Sequence, residues 1–346
     1  TIVKAKDKAV ETLTISGRIQ AQWDLLSTQY ENAEDPRGEN NIFMRRLYLG
    51  AQAQFADGVS GTFVTDFGTN AAGGGETEKA VIDIDLSEHH QLTVGYQKVP
   101  FGYEETTSST KLLAIERSAA TRYYTEQLEL GSRHTGIYLN GEYDSGIYFT
   151  VAATNARAFS VSASSDTDRL AFWGQAGWSG DVGPGSLNVG LAGGHIPGSR
   201  DLRYDDQVYN LYANVNLGNF ALMTEILGGV IEGARADGSD AKPLGFNILP
   251  SWKFNDKWEL VGRYAYLDTD GGIGVDISSG VRRSAENDSA LYDTFESYYI
   301  GGNWYIRGNS LKLTAGYGWG TFKDNLTGTQ GNADVQGFRT RLQLLF

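Results

Sequence analysis

Four histidines are the first candidates for chemistry in this 346-residue chain, and their placement does not favour it. His89 and His90 share a short polar stretch, His195 closes an apolar–polar alternation, and His134 follows Ser132 by two residues. A Ser/His nucleophile needs an acid to orient its imidazole, and none stands at a matching position. The stretch Asp268-Thr269-Asp270-Gly271-Gly272-Ile273-Gly274-Val275-Asp276 partly matches a calcium loop. Its sixth position is Ile273 rather than Gly, and its twelfth is Ser279 rather than Glu. Asp268, Asp270 and Asp276 therefore predict at most loose divalent binding in an exposed loop. Gly73-Gly74-Gly75 precedes no helix, so it reads as a loop tip and not a phosphate cradle. With no cysteine, thiol catalysis, disulfides and Cys-ligated zinc are excluded. No nucleotide-binding motif or cofactor signature is present. The reading is of a protein that is not an enzyme and carries no cofactor.

The elements that position these residues follow from periodicity. From Leu13 the odd positions run Leu13, Ile15, Gly17, Ile19, Ala21, Trp23, Leu25, with Thr14, Ser16, Arg18, Gln20, Gln22 and Asp24 between them. That is strand alternation, since a helix would set Arg18 and Asp24 among the apolar residues. The end of the chain repeats it: Phe338, Leu342, Leu344 and Phe346 on one face, Arg339, Arg341 and Gln343 on the other. Comparable segments bring the count to sixteen, with the second at Phe43–Phe55, the twelfth at Leu244–Phe254 and the fifteenth at Leu311–Thr321. Short polar turns such as Ala56-Asp57-Gly58 and Gly218-Asn219 alternate with long polar loops around residues 26–42, 68–78, 100–132, 155–168, 196–206, 229–243, 268–295 and 322–334. Long loops on one side and short turns on the other predict an all-β, sixteen-stranded antiparallel transmembrane β-barrel. No run of eighteen apolar residues exists, so helical spanning is excluded. Residues 1–11 are read as a short periplasmic segment and 12–346 as one barrel domain.

Composition fits this fold. There are 44 Gly, nearly twice the usual share of about 7%, and 19 Tyr, 15 Phe and 7 Trp to form interfacial girdles. A closed barrel pairs every backbone group in lipid while keeping its lumen polar, and sixteen strands predict a water-filled channel rather than a packed core. Pro250 interrupts the twelfth segment, where a missing N–H predicts a bulge. The formal net charge of −13 excludes a nucleic-acid partner. Most of the acidic excess falls in the long loops, where it could meet divalent cations bridging lipopolysaccharide headgroups. A start at Thr1 without Met is read as a processed chain whose signal peptide has been removed.

One segment is recognisable. After the fifth strand comes Lys98-Val99-Pro100-Phe101-Gly102-Tyr103-Glu104-Glu105, then Glu116-Arg117-Ser118. This resembles the phosphate-selective porin O/P family, as do Gly17-Arg18-Ile19-Gln20 and the ending from Arg339 to Phe346. The resemblance implies a homotrimeric outer-membrane channel whose third loop folds inward as a constriction. Lys98, Pro100, Phe101, Gly102 and Glu104 would anchor that loop at the wall, and Glu116 and Arg117 would lie in its inserted part. After Ser118 the chain departs from the family pattern, running Ala119-Ala120-Thr121-Arg122 where Pro-Gly-Arg is usual. The loop holds four basic residues (Lys98, Lys111, Arg117, Arg122) against five acidic ones (Glu104, Glu105, Glu116, Glu126, Glu129).

Strand parity puts Arg18, Arg46, Arg339 and Arg341 on the lumen face, and closure sets the last strand beside the first. These four predict a basic patch facing a mixed loop, hence a transverse field across the pore. The expected function is passive diffusion of small hydrophilic solutes and inorganic anions with a weak anion preference. The alternatives are a specific phosphate or polyphosphate channel and a purely structural envelope barrel.

Overall fold

The alternation resolves into sixteen long antiparallel strands whose last member pairs with the first. The computed structural model describes residues 10–55, 58–68, 75–156, 168–198, 205–281, 290–327 and 331–346. In chain order the strands are β1 (Val10–Tyr30), β2 (Arg37–Phe55), β3 (Val59–Asp66), β4 (Glu76–Asp85), β5 (His90–Lys98), β6 (Arg133–Glu142), β7 (Ile147–Asn155) and β8 (Leu170–Val182). They continue as β9 (Gly185–Ile196), β10 (Asp206–Leu217), β11 (Phe220–Val230), β12 (Leu244–Asn255), β13 (Trp258–Asp268), β14 (Leu291–Arg307), β15 (Leu311–Asn325) and β16 (Ala333–Leu345). A further two-residue strand, Val275–Asp276, pairs with β14 inside a loop. Each strand hydrogen-bonds both sequence neighbours, so no edge is left open.

One face of each strand turns outward as an exposed apolar belt, including Leu47, Leu49, Phe63, Ile137, Leu191, Ile226, Ile300 and Leu342. Aromatic rings border it at both ends: Trp258 stacks on Trp304 at 5.3 Å near the short turns, and Trp23 meets Phe338 at 5.9 Å near the long loops. The high glycine content has a local cause. A Cβ at Gly177 would stand 2.4 Å from the hydroxyl of Tyr148, and one at Gly190 would stand 2.4 Å from that of Tyr212. Tyrosine rings lie flat on bare backbone of the adjacent strands, so Gly and Tyr occur together.

Four expectations need correction. Several loops are shorter than the pattern indicates, because β1 and β2 pair from Thr28 and Arg37 inward and leave only residues 31–36 as a turn. β1 starts at Val10, inside the segment read as periplasmic; residues 1–9 lie outside the described residues, as do Ala56, Asp57, Gly73 and Gly74. Pro250 makes no bulge. The β12–β13 ladder skips from Ile248↔Tyr264 to Ser251↔Val261 in unchanged register, with Gly262 leaving room beside the proline ring. Finally, the interior is not wholly water-filled. Inward residues at the long-loop end, including Tyr138, Trp173, Val208, Leu267, Phe295 and Phe322, form a buried apolar cluster with Phe101, Tyr123 and Tyr124 from the β5–β6 connection.

Candidate functional site

Residues 99–132 join β5 to β6 and reach across to the opposite wall. Val99, Pro100 and Phe101 are buried, and Phe101 packs between Tyr124 and Trp173 at 6.1 and 6.2 Å. Gly102 has φ 80°, and a Cβ there would meet that of Glu105 at 3.1 Å. Pro100, Phe101 and Gly102 thus form the elbow where the chain leaves the wall and starts the one-turn α1 (Tyr103–Thr106). Ser118 caps α2 (Ala119–Arg122), its hydroxyl accepting from Thr121 N at 3.3 Å, and a π-turn (Tyr123–Gln127) follows.

Wall side chains hold this connection from several strands. Glu225 of β11 accepts from the backbone N–H groups of Tyr103 and Glu104. Lys312 of β15 donates to the carbonyls of Thr110 and Leu112 at 3.0 Å, and Asn303 of β14 donates to that of Leu113 at 3.0 Å. Arg263 of β13 donates to the Glu116 carbonyl at 2.6 Å. The Glu116 carboxylate takes a bidentate pair from Arg45 of β2 at 2.8 and 3.1 Å and a third bond from Arg341 of β16 at 2.5 Å. Charge-assisted bonds of this kind are the strong ones, and here they are buried.

The four expected arginines come together on adjacent strands, but they are not equivalent. Arg341 is bound by Glu116 and Gln22, and Arg339 lies 3.5 Å from Asp24. Arg46 donates to Gln20 at 2.9 Å, while Arg18 donates to the Ser109 hydroxyl at 2.5 Å and lies 4.6 Å over the Tyr48 ring. Among the described residues no carboxylate lies within 4 Å of Arg18, Arg46 or Lys79.

Other expected residues serve the connection itself. Glu104 is 2% exposed, and its carboxylate accepts from Ser118 N at 2.7 Å and from the Thr121 hydroxyl at 3.1 Å. Arg117 donates to the carbonyls of Glu104, Glu105 and Thr107. Burial alone would push the Glu105 carboxyl up, but Arg117 at 3.0 Å and Lys98 at 2.8 Å hold it down at about 2. Arg122 pairs with Glu126 and donates to the Ser278 carbonyl at 2.7 Å.

Arg45 escaped the parity reading. The β1–β2 register passes from Gln20↔Arg46 to Ala21↔Met44, leaving Arg45 as the extra residue of a bulge. Both arginines therefore turn inward, at 2% and 4% exposure. The signal was their adjacency: strict alternation would send one into lipid, at a cost of roughly 2–4 kcal/mol. Tyr48, Lys79 and the Arg133–Glu78 ion pair were also missed. With Arg18 and Arg46 they line a cavity of about 730 Å³ between the connection and the β1–β6 wall, where seven basic side chains face five acidic ones.

The remaining candidates separate. Asp276 caps a one-turn α3 (Ile277–Gly280) through Ser279 N at 2.6 Å, Asp270 pairs with Arg235 at 2.5 Å, and Asp268 accepts from Asp270 N at 2.8 Å. Their carboxylates serve three local structures, and the described residues hold no cluster of three or more metal-ligating acids or histidines. Both ring nitrogens of His134 lie against backbone carbonyls, those of Asn155 and Gly131 at 3.0 and 2.9 Å, which leaves none for Ser132.

A closed sixteen-stranded barrel with an apolar outer belt, two aromatic borders and a charge-lined interior is the architecture of an outer-membrane channel. Residues 14–346 match the family described as phosphate-selective porin O and P, and the chain belongs to that family. Family and fold point to a channel rather than an enzyme. No curated protein sequence matches the chain. Among solved structures, an anion-selective porin from Comamonas acidovorans is similar at 14% identity and a TM-score of 0.66, over 96% of this chain and 99% of that one. The outer membrane channel DcaP of Acinetobacter baumannii is similar at 11% identity and a TM-score of 0.65, over 99% of each. The trimer form of OmpT, an outer membrane protein of Vibrio cholerae, is similar at 13% identity and a TM-score of 0.56, over 96% of this chain and 99% of that one.

Proposed function

We propose that this protein is a passive porin for small hydrophilic solutes and ions, constricted by the β5–β6 connection and weakly anion-preferring. The observation that carries this reading is the cavity on the β1–β6 side, where Arg18, Arg46 and Lys79 face the hydroxyls of Ser108 and Ser109 without a carboxylate partner of their own. Unneutralised cations in a narrow, low-dielectric passage raise the local anion concentration. The buried ion pairs of Glu116 and Glu105 fix the connection while masking much of the remaining positive charge, so the preference stays modest. The fold shared with an anion-selective porin agrees with that sign.

We further propose a homotrimer, in keeping with the trimeric barrel of the same fold. A shallow outer groove on β1–β5, with small residues (Ala51, Ala53, Gly61, Ala80) between Leu13, Phe63, Ile82 and Val94, suits close approach of a second apolar wall. The acidic long loops would meet divalent cations between lipopolysaccharide headgroups at the outer surface.

Conductance in planar bilayers tests the channel reading, and a barrel with a purely structural role gives no current. The reversal potential in a KCl gradient then tests the sign of selectivity, and a cation-selective value overturns the anion preference. The family description favours a second reading, a specific phosphate or polyphosphate channel. It requires phosphate at millimolar levels to block the chloride current, and an unaffected current rules it out.

A further inference from the structure

The lumen wall is chemically divided. On β1–β4 inward positions carry Arg18, Arg46, Asp66, Lys79 and Asp83, whereas on β7–β10 charge on that face is confined to the strand ends, at Asp181 and Asp206, and the inward positions of Tyr148–Thr154, Ala171–Ser179, Ser186–Ala192 and Val208–Asn216 carry none. Toward the short-turn end this neutral arc becomes a connected array. Tyr148 donates to the Asn188 side-chain oxygen at 2.6 Å, and its hydroxyl lies 2.7 Å from that of Tyr212. Gln175 donates to the Tyr212 hydroxyl at 2.8 Å. Tyr103, from the β5–β6 connection, stacks on Tyr212 at 4.6 Å and 17°, and Asn214 donates to its hydroxyl at 3.1 Å.

Glycines preset this array. Gly177 and Gly190 admit the rings of Tyr148 and Tyr212 flat against the wall, where a Cβ on either glycine would collide. Asn188 and Asn214 stand directly opposite each other on β9 and β10. Beside them opens a cavity of about 580 Å³ with Tyr103, Asn214 and Asn216 on the side of the array and Lys111, Lys253 and Glu259 on the far side, in the ordinary size range for a small-molecule site. Amides and phenols both donate and accept hydrogen bonds, and an aromatic face packs against aliphatic C–H groups. A rigid, uncharged set of this kind suits a ligand rich in hydroxyls and without charge.

We propose that Tyr103, Tyr148, Asn188, Tyr212 and Asn214 form a carbohydrate-binding shelf on the short-turn side of the constriction, able to hold one or two neutral sugar units in transit. This rests on the channel reading, and the two can fail separately. The test is single-channel current in KCl with maltose titrated in, against a polyethylene glycol of matching hydrodynamic radius. The expected result is a saturable block by maltose at millimolar concentration and none by the polymer. Asn188→Leu and Asn214→Leu, both on the barrel wall, should each raise the half-saturating maltose concentration about fivefold or more, the loss of roughly one hydrogen bond. A non-saturable decline matching the polymer, or variants that bind maltose like the parent, overturns the shelf while leaving the channel intact. Absence of any KCl current overturns both.

Discussion

Glu116 and Arg341 meet at 2.5 Å across the lumen, the carboxylate borne by the β5–β6 connection and the guanidinium by the last strand. Arg45 binds the same carboxylate through two nitrogens, so one acid neutralises and fixes two arginines contributed by strands on either side of β1. Removing one partner of a buried pair leaves the others uncompensated. Glu116 is thus both an anchor of the connection and a mask over the basic wall.

Glu116→Gln keeps the side-chain size and one acceptor oxygen but removes the mask. A unit charge 8 Å from the ion path in water is worth ~0.5 kcal/mol, about a twofold change in permeability ratio. The reversal potential in a KCl gradient should move toward chloride by that factor. A shift toward potassium, or none, would show that Glu116 does not screen the pore.

Arginines on this wall should differ in effect. Arg46 donates to the Gln20 amide oxygen, whereas Arg339 faces Asp24. Arg46→Gln should lower the chloride preference about twofold by the same Coulomb estimate. Removing both members of the Arg339–Asp24 pair (Arg339→Gln with Asp24→Asn) should shift it less, because the net charge beside the pore is then unchanged. Equal shifts from the two variants would mean that neighbouring carboxylates do not decide which arginines ions feel.

Much of this was legible from the chain, for identifiable reasons. Alternation from Leu13 to Leu25 survives because lipid and water bear on opposite faces of the same strand, and the same parity sets Arg18, Arg46, Arg339 and Arg341 on one face of adjacent strands. Outside the membrane no such contrast exists, which is why the paired ends of β1 and β2 read as loop. The apolar cluster was hidden since Trp173, Phe295 and Phe322 look like girdle residues by type; what turns them inward is the connection packed beneath. Arg45 was lost to a one-residue bulge. Register between distant strands, which sets Asp24 opposite Arg339, cannot be counted from either strand alone.

Acidification should leave the β5–β6 connection anchored to an unusually low pH. Glu105 titrates at about 2 in place, against 4.5 for a free glutamate, since Arg117 and Lys98 outweigh its burial. A depressed carboxylate stabilises fully above its free value and loses that contribution as pH falls through the depressed one, here from about 4.5 down to about 2. Single-channel conductance should therefore show no step from loss of the Glu105 pair between pH 5 and 4, and such a step only as pH approaches 2. Lys98→Met should move the change upward. A parent transition already complete at pH 4.5 would contradict the ion-paired state of Glu105.

Closure of the barrel gives the last test. Phe346 exchanges both backbone hydrogen bonds with Gly17, at 2.8 and 3.1 Å, and lays its ring over the glycine, where a Cβ would stand 2.1 Å from the ring. Gly17→Val must displace that ring from the seam between β1 and β16, and because the ring is the exposed end of a side chain the cost should lie at the low end of overpacking, about 1 kcal/mol. Phe346→Ala removes the ring and its contact but leaves room for the valine. The two changes act on one contact, so their effects should be strongly non-additive in a double-mutant cycle. Heat resistance of the folded barrel, read by gel mobility, should fall for each single variant, and the double variant should be little worse than Phe346→Ala. Simple addition of the two losses would show that the ring and Gly17 stabilise the barrel independently.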